Sequence, residues 1–162
     1  MKRNLSIVIF LSLFFFLTIN SHAAGSCTQY PAESLLSSDG FLNQKILTFH
    51  CVADSAAATF PATPISTENT ALLKGWYLYY VETELGLVKP TNLWDFTLKG
   101  GAGIDKMGGN GTDMSGTVNQ ERMPLISTGV GFAKPLSDAW MLEITNNLVN
   151  SAVIVFRFVF VR

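Results

Sequence analysis

Charge is scarce in this chain. Asp, Glu, Lys and Arg make up 14% of its 162 residues while 48% are hydrophobic, against roughly a quarter charged in an ordinary soluble domain. A composition this apolar can bury a core, which excludes intrinsic disorder. Charge of a single sign is missing as well, since 11 Lys and Arg face 12 Asp and Glu for a net of −1. Without a basic field nothing neutralises a phosphate backbone, and a nucleic-acid partner is excluded. Histidine is nearly absent, with His22 close to the amino terminus and His50 the single imidazole beyond it. A nucleophilic triad would have to be built on His50, which sits inside a β-rich run beside Cys51. A strand histidine that packs locally is the simpler expectation, so no catalytic residue is assigned. Cysteine is limited to Cys27 and Cys51, and with one imidazole they are too few for a structural metal site. No metal and no cofactor is expected.

Long apolar runs are also few. The only one near the start covers residues 5–19, short of the roughly 20 residues that a bilayer span requires. Lys2 and Arg3 precede it and the small-residue end Ser21-His22-Ala23-Ala24 follows it. That is the layout of a secretory signal peptide, assigned here to residues 1–24 with cleavage after Ala23. The expected location is secreted or periplasmic, with no stable membrane span once the leader is gone. In such an oxidising compartment Cys27 and Cys51 are expected to form a disulfide. A rival use of Cys27 is acylation behind Ala24-Gly25-Ser26, a loose version of a lipoprotein box.

The rest of the chain divides into a polar arm, residues 25–44, and a β-sandwich domain, residues 45–162. The arm reads as loop, with a turn at Ser37-Ser38-Asp39-Gly40 and a weak helical piece over residues 32–36. Residues 45–52 (KILTFHCV) are β-rich, and residues 56–60 read as an extended piece that Pro61 and Pro64 confine to an edge. Thr67 is placed to cap one short helix over residues 68–74, ended by Gly75. Next comes GWYLYYVET, whose alternation sets Trp76, Leu78 and Tyr80 on one face and Tyr77, Tyr79 and Val81 on the other. Residues 93–99 (LWDFTLK) alternate a wet face against Trp94, Phe96 and Leu98. The Gly-rich stretch from Gly100 to Gly116 excludes a regular helix and reads as loops around a short strand over residues 104–107. Strands are expected over residues 123–128 and 138–145, and Asn146, Asn147 and Asn150 supply hairpin-type turn residues. Residues 152–161 (AVIVFRFVFV) are apolar on both faces apart from Arg157, as suits a strand in the middle of a sheet. The fold class is therefore all-β: an antiparallel β-sandwich or jelly-roll-like arrangement of six to seven short strands with at most one short helix. An outer-membrane barrel would need at least eight segments of about ten residues, more than these loops leave.

Few residues invite chemistry. Glu82 and Glu84 would share one face of a strand, as a glycosidase pair or as ordinary surface carboxylates. The Gly-rich stretch lacks the Lys-Ser/Thr ending of a phosphate loop, and no helix follows it. Asp105, Asn110 and Asp113 do not match the alternating acidic positions of a calcium loop and read as turn formers. Trp76, Tyr77, Tyr79, Tyr80 and Trp94 could line a sugar-stacking surface or pack as core and subunit contacts. Trp76, Tyr79 and Trp94 are the ligand-binding candidates.

Three blocks then carry a resemblance. The runs Gly75-Trp76-Tyr77-Leu78-Tyr79-Tyr80-Val81, Pro90-Thr91-Asn92-Leu93-Trp94-Asp95-Phe96-Thr97-Leu98 and Gly103-Ile104-Asp105-Lys106-Met107-Gly108-Gly109-Asn110-Gly111, with a closing strand ending in Arg162, resemble small uncharacterised β-rich proteins of tailed phages and prophages. The resemblance covers residues 75–162. Thr91 departs from the Asp usual at that position, and the Arg usual after the Gly-rich turn is missing. The resemblance implies a virion-associated or capsid-decorating role with no enzymatic site. The resulting expectation is an exported, non-catalytic structural or assembly protein that associates with itself or with another protein. The alternative is a secreted glycan- or ligand-binding β-sandwich module.

Overall fold

The computed structural model describes residues 24–36, 43–126, 130–131 and 133–162. The signal segment, the turn at 37–40 and the end of the expected 123–128 strand lie outside the described residues. In chain order the elements are β1 (Ser26–Gln29), β2 (Glu33–Leu36), β3 (Asn43–Val52), β4 (Thr63–Pro64), α1 (Thr67–Leu73), β5 (Tyr77–Leu85), β6 (Asp95–Lys99), β7 (Gln120–Arg122), β8 (Lys134–Pro135), β9 (Met141–Thr145) and β10 (Val153–Val161). They form two antiparallel sheets. The larger has seven strands in the order β1-β3-β10-β5-β7, with β2 also on β3 and β8 also on β5; the smaller is β4-β9-β6. The all-β class with one short helix is borne out, with more and shorter strands than the sequence pattern resolved.

The core lies between the sheets, and β10 supplies its centre. Ile154, Phe156, Phe158 and Phe160 point inward and are fully buried, as period-2 alternation requires of a strand with one face on a core. Leu47, Phe49 and Cys51 of β3 and Leu78 and Val81 of β5 flank them at matching register. From the smaller sheet come Phe96, Leu98, Leu142 and Ile144, joined by Trp94 and Trp140 from the adjoining loops. The Phe156 ring meets Trp94 at 5.9 Å and Phe96 at 5.3 Å, both edge-on, the geometry favoured by opposed ring quadrupoles. Trp140 packs on Phe160 at 6.4 Å. The 93–99 alternation holds, with Trp94, Phe96 and Leu98 all buried.

The amino-terminal arm is not loop with a helical piece but two edge strands, because β3 offers it a free flank. Ser26–Gln29 pair with the carboxyl half of β3 and Glu33–Leu36 with its amino half. Cys27 stands opposite Cys51 in that register, and the two are disulfide-bonded across a sequence separation of 24. Closing a loop of that length stabilises the fold by about 3 kcal/mol in the chain-entropy description. With its sulfur in that bond, Cys27 has no thiol left to acylate. The link between β1 and β2 is held by the buried Asn69, whose Oδ1 accepts from the Ala32 N–H at 2.9 Å and whose Nδ2 donates to the Tyr30 carbonyl at 3.2 Å. Asn69 sits on α1, which starts one residue earlier than the sequence suggested: Ser66, not Thr67, is the cap, its hydroxyl accepting from the Asn69 N–H at 3.2 Å. Gly75 follows at φ +79, a conformation that costs a Cβ-free residue nothing.

Other segments depart from their sequence reading for local reasons. Residues 55–57 form a turn, not an extended piece, because the Asp54 carboxylate accepts from the N–H groups of Ala56 and Ala57 at 2.7 and 2.6 Å. Residues 104–107 make only a bridge from Asp105 to Lys99, since Asp105 spends its oxygens on the Leu98, Met107 and Gly109 N–H groups. Gly108 there has φ +63, and a Cβ on it would meet the Leu125 carbonyl oxygen at 2.3 Å. The strand expected at 123–128 is displaced to Gln120–Arg122. Asn146 adopts φ +59 as a turn residue should, but the chain there passes from the smaller sheet to the larger and makes no hairpin.

Replacing Phe156 by Ala should lower stability by about 3–5 kcal/mol, read as a fall in the urea midpoint with an unchanged slope. A loss below about 1 kcal/mol would contradict the placement of this ring at the centre of the core.

Candidate functional site

The outer face of the larger sheet is set by the same register that builds the core. Residues of β10 that point away from the smaller sheet are Val153, Val155, Arg157, Val159 and Val161, and the last four have partners on both sides. Val161 lies between Gln44 and Tyr77, Val159 between Ile46 and Tyr80, Arg157 between Thr48 and Glu82, and Val155 between His50 and Glu84. Short aliphatic side chains therefore run down the middle, with tyrosines and carboxylates along β5.

Strict alternation would place Tyr79 and Tyr80 on opposite faces. It fails here because the β5–β10 register shifts: Val159 pairs with Tyr80 but Phe160 pairs with Leu78, leaving Tyr79 without a partner. The extra residue is a β-bulge, which twists the strand and re-aims its side chains. The opposite flank of β5 permits it, because β7 takes only Val81 to Thr83 and β8 only Tyr77 and Leu78. As a result Leu78 and Val81 both reach the core, while the Tyr79 and Tyr80 rings stand edge-to-face at 5.6 Å. Tyr77 and Tyr79 are 45% and 41% exposed, so three phenols gather beside the valine stripe.

Next to the tyrosines is a polar recess of about 250 Å³ lined by Glu82, Thr83, Glu84, Asn119, Gln120, Glu121 and Arg157. Arg157 donates to Glu84 at 2.6 Å, and Asn119 accepts from the Leu85 N–H at 3.0 Å. Glu82 and Glu121 are direct cross-strand partners. Burial, then the carboxylates of Glu82 and Glu121 and the neighbouring Tyr79, push the Tyr80 phenol above its usual ionisation range. The phenol therefore stays a neutral donor through ordinary pH.

The sequence candidates fare differently. Tyr79 belongs to this face. Trp94 does not, because it is fully buried and its indole N–H donates to the Ser115 carbonyl at 3.0 Å; a tryptophan just before a strand whose alternate residues face the core has nowhere else to go. Trp76 is half-buried with the Lys45 ammonium 4.8 Å above its ring, and lines a second cleft of about 510 Å³ with Ser34, Leu35, Asn43, Gln44 and Arg162 at the β2 end of the sheet. Glu82 and Glu84 share the outer face as expected, though Glu84 is engaged by Arg157. His50 also lies on this face, between Thr28 and Val155. Asp105, Asn110 and Asp113 organise turns: Asn110 donates to the Met123 carbonyl and the Asp113 N–H to Asp95, each at 2.8 Å. Among the described residues no group of three or more His, Cys, Asp or Glu side chains is placed to hold a metal ion.

Asn119 and Glu121 were missed from sequence, because a three-residue strand carries no periodicity to read. Arg157 had a signal, as the single charge in an otherwise apolar strand.

Spectrophotometric titration should show one tyrosine ionising above the rest. Tyr80→Phe should remove that step, and Glu82→Gln with Glu121→Gln should bring it down toward the usual range; a titration unchanged by these variants would contradict the proximity of the carboxylates to Tyr80.

No protein-family model and no curated protein matches the chain. Among solved structures, the chain is similar to a low-affinity xylan-binding module, CBM86, from the gut symbiont Roseburia intestinalis, at 10% identity over 86% of this chain and 96% of that one, with a TM-score of 0.31. A likeness at that level bears on neither the site nor its ligand.

Proposed function

We propose that this chain is an exported, non-catalytic glycan-binding module whose site is the outer face of the seven-stranded sheet. The observation that carries this reading is the bulge at Tyr79, which collects Tyr77, Tyr79 and Tyr80 beside a recess of carboxylates, an amide and a guanidinium. Sugars present apolar C–H faces ringed by hydroxyls, so they need flat aromatic surface together with hydrogen-bonding groups at its rim. The recess is small, about 250 Å³, and Glu84 within it is engaged by Arg157, which leaves no free acid and nucleophile pair of the Glu82–Glu84 kind. Export is supported by the leader-like residues 1–24 and by the Cys27–Cys51 bond, which persists in oxidising compartments.

Affinity electrophoresis through gels containing single polysaccharides tests the reading. Retardation in at least one gel is expected, with Tyr79→Ala and Tyr80→Ala each weakening it by about 5- to 10-fold, the loss of roughly one aromatic contact. Retention that survives both substitutions would defeat it.

A second reading keeps the assembly role that the phage-protein resemblance implies. A separate observation favours it: the aliphatic tips Leu87, Val118 and Leu148 are 103%, 57% and 81% exposed on loops bonded to one another through Lys89 to Thr117 and Leu148 to Thr91. Exposed apolar clusters of this kind mark contacts with partners. Light scattering of the purified protein at micromolar concentration should then give a mass above one chain, reduced to that of one chain by Leu87→Ser with Leu148→Ser; a monomer at the outset would exclude self-association.

A further inference from the structure

Resting on the glycan reading, we propose that the ligand is a neutral, hydroxyl-rich linear chain, and that Glu82 and Glu121 are the specificity residues that turn away acidic ones. Three features of the outer face point to this: its long track, its charge balance, and a locally unfavourable carboxylate pair.

The outer face offers a long track. It follows β5 and β10 from the Leu35-Gln44-Val161-Tyr77 row, past Ile46-Val159-Tyr80, to Thr48-Arg157-Glu82-Glu121 and then His50-Val155-Glu84. At about 3.3 Å per strand residue, this is long enough for several rings of an extended chain. Along its middle Val155 and Val161 are half-buried while Val159 is fully buried, so the accessible aromatic surface on this stretch comes from the flanking Tyr77 and Tyr79.

The charge balance decides the class. Glu33, Glu82, Glu84 and Glu121 face outward in the register, and Arg157 is the one guanidinium or ammonium the described strands set among them. Arg157 pairs with Glu84 and stands opposite Glu82 in the register, so one cation faces four carboxylates and the face keeps a net negative charge. His50 lies on the same face but toward the other end of β3 from the tyrosines. A carboxylate is an acceptor with no donor of its own. It suits a sugar hydroxyl and opposes a uronate or sulfate, and like-charge juxtaposition is among the stronger means of refusing a ligand.

The placement of Glu82 directly opposite Glu121 is unfavourable for the fold itself, since like charges on paired strand positions destabilise the sheet. Such a local conflict at the rim of a binding face is where function, and not folding, sets the residue. The Asn119 amide beside them widens the set of polar groups that a ring of hydroxyls would meet.

The test uses polysaccharides that share a backbone and differ in the charge of their substituents: hydroxyethyl cellulose against carboxymethyl cellulose, arabinoxylan against glucuronoxylan, and fully methyl-esterified homogalacturonan against polygalacturonate. In low salt the neutral member of at least one pair should bind, and its acidic partner should bind at least about tenfold more weakly, with the gap shrinking as salt screens it. The Glu82→Gln, Glu121→Gln double variant should close the gap to within about threefold, while melting at or above the temperature of the unsubstituted protein, which certifies the fold. Equal or tighter binding of the acidic member, or a gap that survives the double variant, would overturn the charge selection and leave glycan binding standing. Failure to bind either member of any pair would overturn the glycan reading, and this inference with it.

Discussion

The burial of β10 from both flanks and across the core is the constraint from which the rest of the structure follows. Its Ile154-Phe156-Phe158-Phe160 ladder is locked against Leu47, Phe49 and Cys51 on one side, and against Val81 and Leu78 on the other. A slip of one residue would turn four large side chains out into water and bring Arg157 into the aromatic cluster, so the register admits no alternative. That fixed register also decides which residues form the outer face. The composition of the outer face is thus a by-product of core packing.

The bulge is the place where the core and the face make opposite demands on β5. A strand that kept its alternation from Leu78 onward would send Tyr80 inward and Val81 outward, placing a phenol hydroxyl among Phe158 and Phe160. Burying that hydroxyl without a partner would cost roughly 1–3 kcal/mol. One extra residue resolves the conflict by restoring Val81 to the core and delivering Tyr80 to the outside. It is tolerated because Tyr79 and Tyr80 fall in the gap between β7 and β8 on that edge, where no ladder is broken. The fold thereby gains an aromatic cluster at a position where pairing was already incomplete.

The parts of the fold legible in the sequence were those with long, clean periodicity. The apolar 152–161 run marked a central strand, the LWDFTLK alternation marked a half-buried one, and Gly75 marked a helix end. What stayed hidden depended on partners far away in the chain. Residues 26–36 are too polar to read as strand and become strand because β3 has an open flank and a cysteine facing Cys27. Gln120–Arg122 has no pattern of its own and is ordered by β5, with the Thr83 hydroxyl donating to the Gln120 carbonyl at 3.2 Å. The site was half legible for the same reason: Tyr79 was in view, but the alternation rule assigned Tyr80 to the wrong face, and Trp94 was a plausible platform until its strand was seen to lie against Phe156.

The electrostatics of the two loop ends and of the sheet face differ in kind, and the difference separates folding from binding. At the Gly-rich end the carboxylates of Asp105 and Asp138 are used by the fold. Asp138 takes the Gly101 N–H and, further, the Trp140 indole and the Ser137 hydroxyl, and these bonds, the Gly101 one foremost, hold it below the usual carboxylate range. Lys99 pairs with Glu143 across the smaller sheet. Such groups are saturated and have little left to offer a ligand. On the outer face, Glu82 and Glu121 confront one another across β5 and β7 beside a half-buried phenol. Their acceptor capacity remains available for hydroxyl donors brought from outside. A fold that neutralises its carboxylates at one end, yet keeps an opposed pair beside exposed tyrosines, has concentrated its unspent polarity where an extended chain can reach it.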